Sequence, residues 1–283
     1  MDSARGHKRK FQVAMCEFLG QVFFMYAVNV SGATGSDSWG ITGPLALFAV
    51  VNIFGGISGG HFNPAVTLGV YFREKDYAGN FIFMIMYIAA QLAGAMVGML
   101  LSIFAIRATK EGEYIIPQDM VPLLLPTPVA TELKEAQPGD DITLSNNWTT
   151  FYMEVICTFV FVLFILHVTG KHTVGPDLGV YGVPAICLVL WALCSVCNFT
   201  GASFNPALAF AQTVYQAWFW PSDNNPQNVL THYAAMYIGG AAVGGILAGV
   251  FYNFHELLFH DPDADEEDQD GTLTSVNPEK QVK

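Results

Sequence analysis

The tetrapeptide Phe-Asn-Pro-Ala occurs twice, at 62–65 and 204–207, inside the matching strings GGHFNPAVT from Gly59 and GASFNPALA from Gly201. In each copy an asparagine, Asn63 or Asn205, stands immediately before a proline, Pro64 or Pro206. Proline suits the first turn of a helix, where its missing N–H would be unpaired anyway, and asparagine is a favoured N-cap. Each box is therefore expected to start a short helix, with Ala65 and Ala207 in the first turn. A helix start presents free N–H groups and the positive end of the dipole. Two such starts, each with a side-chain amide, would donate hydrogen bonds to a polar neutral species and repel cations. One Asn-Pro would be an ordinary turn signal; two in matching apolar contexts are a repeat.

Two carboxylates also recur in matching apolar runs, Glu17 in EFLGQVFFMYAVNVSG and Glu154 in EVICTFVFVLFILHVTG. An ionisable group inside an apolar span is a functional hypothesis by default. A proton-relay pair would make the protein a coupled transporter. Each acid, however, sits near the start of its span, beside a segment whose exposed N–H groups need acceptors, which favours a bracing role. His61, next to the first box, is a candidate to line a polar lumen. The five cysteines, Cys16, Cys157, Cys187, Cys194 and Cys197, lie in apolar runs without metal-ligand spacing and are expected to be buried, reduced thiols. No metal, cofactor or enzymatic activity is expected.

The elements that hold these groups follow from composition. Of 283 residues, 52% are hydrophobic and only 13% charged, and 178–222 and 224–255 contain no Asp, Glu, Lys or Arg; soluble domains carry roughly 25% charged residues. A net charge of −12 argues against nucleic acid as a partner. Crossing the hydrocarbon takes about 20 mostly apolar residues. Six stretches qualify, at 11–30, 41–59, 81–106, 150–168, 180–197 and 233–254, while the pieces holding the boxes, 61–72 and 203–220, are too short or broken. MYIAAQLAGAMVG from Met86 repeats as MYIGGAAVGGILAG from Met236. Its glycines, Gly94, Gly98, Gly240, Gly244 and Gly245, are expected to permit close helix contact.

Because the copies are offset by three spans, the second is inverted in the membrane, an arrangement that puts a binding or permeation site at the midplane. The expected division is a cytoplasmic segment 1–10, a channel domain 11–255 and an acidic cytoplasmic tail 256–283. Within the domain, repeat one is 11–106, an external loop 107–149 follows, and repeat two is 150–255. The bias of Lys and Arg, with Arg5, Lys8, Arg9 and Lys10 at the N-terminus, places both termini in the cytoplasm. The loop is expected to be irregular or to hold one short surface element. Asn147 heads a glycosylation sequon that abuts the fourth span.

Over 11–255, through both boxes, the paired glutamates and the small-residue faces, the chain resembles the aquaporin, or major intrinsic protein, family. The resemblance implies an all-α membrane fold of six transmembrane helices plus two re-entrant half-helices, one pore per subunit, a homotetramer and a small neutral permeant in a lipid bilayer. It also implies a constriction at Gly43, Leu193, Ala202 and Leu208, where most relatives carry an arginine at the last position. The chain has no arginine after Arg107, and Ala209 replaces the acid or serine that usually separates glycerol from water channels. The filter therefore reads as wide, uncharged and apolar. Such a filter would pass glycerol or urea, pass water poorly by dewetting, or belong to a non-conducting membrane junction protein.

Overall fold

The computed structural model describes residues 2–35, 40–109, 124–136, 140, 142–145, 147–170, 179–219 and 226–259. Among them the regular structure is entirely helical: α1 (Asp2–Thr34), α2 (Thr42–Ser58), α3 (Pro64–Arg73), α4 (Tyr77–Thr109), α5 (Thr127–Glu135), α6 (Asn147–Thr169), α7 (Gly182–Val196), α8 (Pro206–Phe219) and α9 (Pro226–Phe259), with one 3₁₀ turn, Gly179–Tyr181, before α7. The half-helices α3 and α8 begin at the prolines of the two boxes, and the other long elements are the six expected spans.

Four of those six, in α1, α4, α6 and α9, are long and apolar enough to cross a bilayer on their own. The other two are shorter: α2 has 17 residues and α7 has 15, about 25 and 22 Å at 1.5 Å per residue. The shortfall has a local cause. α2 stops where Gly59 adopts φ 90° and returns its N–H to the Gly55 carbonyl at 2.8 Å. α7 stops where Thr200 and Gly201, the latter at φ 96°, both donate to the Cys197 carbonyl. Beyond each stop, irregular backbone carries the chain on to a box.

Helices run across two of the expected divisions: α1 includes residues 2–10 and α9 includes 256–259, while the rest of the acidic tail, 260–283, lies outside the described residues. The connection between the repeats holds a short helix, α5, but it is not only a surface element. Val129 and Leu133 are buried, Leu124 and Leu125 join the core, and the Thr127 N–H donates to the Phe199 carbonyl at 3.0 Å, beside the second box. Cys194 is the one cysteine that is only half-buried; the other four are buried and all five are free thiols.

Packing follows the repeat. α1 lies along α4 and α6 along α9, α2 meets α7 across the repeat boundary, and α3 and α8 both wedge between α4 and α9. Glycine makes the seams close enough. A Cβ on Gly94 would lie 2.4 Å from the Phe18 carbonyl, and one on Gly244 would lie 2.5 Å from the Val155 carbonyl. The closest approach to backbone is at Gly245, where a Cβ would stand 2.2 Å from the Ala65 carbonyl of α3. Backbone cannot yield as a flexible side chain can.

Overpacking of this kind costs about 1–3 kcal/mol. Gly245→Ala should therefore lower the thermal midpoint of the purified protein. Gly56→Ala, in α2 with nothing within 4 Å of the added carbon, should leave it unchanged or raise it, since alanine is favoured over glycine in a helix by up to about 1 kcal/mol. Equal midpoints for the two variants would contradict the packing argument.

Candidate permeation site

The two boxes meet tip to tip. Asn63 caps α3, accepting at its Oδ1 from the Ala65 N–H at 2.8 Å, and Asn205 caps α8 in the same way with the Ala207 N–H at 3.0 Å. Each amide nitrogen then reaches across to the other loop. Asn63 Nδ2 donates to the Phe204 carbonyl at 2.8 Å, and Asn205 Nδ2 donates to the Phe62 carbonyl at 2.9 Å. Every amide nitrogen has a second hydrogen left over.

The phenylalanines that accept these bonds are themselves unusual. Phe62 has φ 45° and Phe204 has φ 49°, a left-handed conformation that bulky residues rarely adopt. Their N–H groups turn towards the paired glutamates. Glu17 accepts from the Phe62 and His61 N–H groups at 2.7 and 3.0 Å, from the Ser58 hydroxyl at 2.7 Å and from Gln91 Nε2 at 2.8 Å. Glu154 accepts from the Phe204 and Ser203 N–H groups at 2.9 and 3.0 Å. Both carboxylates are fully buried. Because each accepts from backbone N–H donors rather than from a second ionisable group, the geometry is that of a brace and not of a relay.

A second pair of braces escaped the reading of the sequence. The Tyr87 hydroxyl donates to the Ser58 carbonyl and the Tyr237 hydroxyl to the Thr200 carbonyl. Ser58 and Thr200 in turn accept, at their side-chain oxygens, from the Gly60 and Ala202 N–H groups at 3.1 and 3.4 Å. The signal was present: both tyrosines are the second residue of the repeated MYI segment. What a periodic pattern does not tell is that a side chain in a seam ends on a loop carbonyl 29 or 37 positions away.

A cavity of about 340 Å³ ends on Asn63 and Asn205. Its polar lining comes from the two asparagines, His61, Ser203 and Thr169, and its apolar lining includes Leu47, Val51, Phe161, Ile186 and Leu190. Among the described residues, no Asp, Glu, Lys or Arg lines it. His61 is half-buried, its ring 4.8 Å from that of Tyr87 and its Nδ1 3.2 Å from Thr67 Oγ1.

The four candidate filter residues do not line this cavity. Gly43 lies one turn before Leu47 in α2 and Leu193 one turn after Leu190 in α7, so each is at helical spacing from a lining residue. Ala202 has φ 51° and precedes Ser203. Leu208 is buried, with its N–H 3.4 Å from Asn205 Oδ1, and Ala209 behind it is in the core. On the same side, a Cβ on Gly40 would lie 3.5 Å from the Cys194 Cβ. Gly40 and Cys194 are thus neighbours; Cys194 had been read only as a buried thiol, and Gly40 was not singled out from the sequence. Cys194 follows Leu190 by four residues, which is the helical spacing that could have found it.

Against known proteins, residues 6–252 match the major intrinsic protein family. Aquaporin TIP1-1 of Zea mays is 27% identical over 269 residues, covering 89% of each chain. Glycerol uptake facilitator protein-like 6 of Lactiplantibacillus plantarum is 29% identical over 244 residues, covering 83% of this chain and 93% of its own. The X-ray structure of the aquaglyceroporin from Plasmodium falciparum superposes with a TM-score of 0.64 at 20% identity, over 86% of this chain and 95% of that one. The fold and the paired boxes define an integral, multi-pass membrane channel rather than an enzyme. The chain belongs to the major intrinsic protein family, that of the aquaporins and glycerol facilitators.

Glu154→Gln leaves one acceptor oxygen for two N–H donors and points an NH₂ at one of them, so it should cost roughly 1–3 kcal/mol. Tyr237→Phe removes a single hydrogen bond and should cost less, about 0.5–1.5 kcal/mol. Thermal midpoints of the purified variants should fall in that order below wild type. Two wild-type midpoints would mean that neither side chain holds the loop.

Proposed function

We propose that the chain is a passive channel for water and small neutral solutes such as glycerol or urea, working as a homotetramer with both termini cytoplasmic. The observation that carries this reading is the cavity lined by Asn63 and Asn205, on whose wall no charged side chain stands among the described residues. A permeant leaving bulk water must replace its lost hydrogen bonds. Asn63 and Asn205 offer their remaining amide hydrogens at the tip of two helix starts, whose dipoles oppose a cation. A lining that mixes a few polar groups with apolar side chains suits a solute that carries both hydroxyls or amides and carbon.

Selectivity in this reading rests on Gly43, Leu193, Ala202 and Leu208, with His61 lining the other half of the lumen. Leu208 supplies neither donors nor charge, so it limits solute size less than an arginine would. Glu17 and Glu154 serve as braces. The names of the relatives, an aquaporin and a glycerol uptake facilitator, are compatible with either permeant.

Stopped-flow swelling of vesicles with water, glycerol and urea tests the proposal. Wild type should pass at least one of the two solutes along with water, and Leu208→Arg should reduce the glycerol-to-water ratio by roughly tenfold, equivalent to about 1.4 kcal/mol of barrier. Leu208→Phe, which narrows without adding charge, guards against an arginine variant that fails to fold. Unchanged ratios in well-folded variants would remove position 208 from the constriction. Absence of any flux would replace the channel by a non-conducting membrane junction of the same fold.

A further inference from the structure

We propose that a groove at the end of the bundle where α1 begins binds the phosphate headgroup of an anionic phospholipid. The groove, about 420 Å³, is lined by Arg9, Lys10 and Val13 of α1, by Ile57, Ser58 and Gly59 at the end of α2, and by Phe83 and Tyr87 of α4. Its two charges are both positive, no acid lines it, and neither cation makes an ion pair among the described residues. Lys10 is held in place by Phe83, with its Nζ 5.0 Å from the ring centroid. Arg9 and Lys10 are exposed, so their charge is available.

The apolar half of the groove identifies the source of the phosphate. Val13 and Phe83 belong to the membrane-crossing parts of α1 and α4, while Ile57 and Phe83 are 58% and 37% exposed. Cations at the edge of the bilayer with apolar side chains deeper in match a headgroup and the start of its acyl chain. A soluble phosphate compound would use the cations and leave the apolar wall in contact with lipid. Basic pockets between transmembrane helices on the cytoplasmic side are where anionic headgroups bind, and that is the side on which α1 begins in the orientation proposed above.

The test uses the full-length protein in detergent micelles and fluorescent phosphatidylinositol 4-phosphate as the probe. Binding should saturate, and phosphatidylcholine at equal concentration should not displace it. The double variant Arg9→Gln/Lys10→Gln, which keeps Arg5 and Lys8 and hence the general basic attraction of the N-terminus, should weaken binding at least tenfold. Ile57→Asp, which puts an acid in the apolar wall, should do the same. Monodisperse elution at the wild-type volume certifies the fold of each. Wild-type affinity in both variants would overturn the site. Displacement by free inositol 1,4-bisphosphate as effective as by the unlabelled lipid would overturn the lipid as occupant. Water flux in pure phosphatidylcholine vesicles should be the same for the double variant and wild type, which separates this proposal from the channel reading.

Discussion

Everything in this molecule hangs on holding two phenylalanines in a left-handed backbone inside a helical bundle. Phe62 and Phe204 sit where the chain must turn from an irregular segment into a half-helix. That conformation costs on the order of 1–3 kcal/mol per residue and persists only where the surroundings over-determine it. Here they do. Each phenylalanine has its N–H on a buried glutamate and its carbonyl on the asparagine of the opposite loop, so both ends of the strained residue are pinned. Each glutamate uses both of its oxygens as acceptors and is itself fully buried, so the bonds that hold the loop backbone are fixed at both ends. The reciprocal bonds also mean that neither loop is complete without the other.

That reciprocity sets demands on the helices. For the tips to meet, α3 and α8 must come close to α4 and α9, and the glutamates of α1 and α6 must reach past them. The glycines of the seams remove the side chains that would keep the helices apart. Gly94 lies against α1 one turn from Glu17, and Gly245 lets the Ala65 carbonyl of α3 touch the backbone of α9. Tyr87 and Tyr237 use the same seams for the opposite purpose, projecting from them to hold the loops from behind. Close contact and long reach therefore alternate along one helix face, and both copies of the repeat need both.

How much of this was legible in the sequence depends on how local each cause is. The boxes, the inverted repeat and the small-residue seams could be read because a cap, a proline and a glycine act on their own segment. Glu17 and Glu154 could be given a bracing role because a buried acid beside irregular backbone has few other partners. The left-handed phenylalanines could not be read, since nothing in the residue type announces positive φ and the forces that impose it come from far along the chain: 45 positions for Glu17 and 143 for Asn205. The tyrosine braces, the inner face of α5 and the half-exposure of Cys194 failed for the same reason. The lengths of α2 and α7 failed for another. Hydropathy counts apolar residues, and it does not see where glycine and a carbonyl with two donors stop the helix.

The braces also bear on charge. A buried carboxylate facing a lumen would attract cations, yet Glu17 spends its two oxygens on four donors, and Glu154 uses both oxygens on backbone N–H groups. What faces the cavity instead is the product of that pairing: carbonyls already taken by asparagine, amide hydrogens left over, and the starts of two helices. Among the described residues the wall of the cavity thus presents donors and no charged side chain. A wall of this kind can replace a permeant's lost hydrogen bonds without placing a fixed charge beside it. The bonds that pin each phenylalanine are made by one amide hydrogen of the facing asparagine and leave the second unused, so the boxes cannot be altered without altering both the loop geometry and the donors it presents.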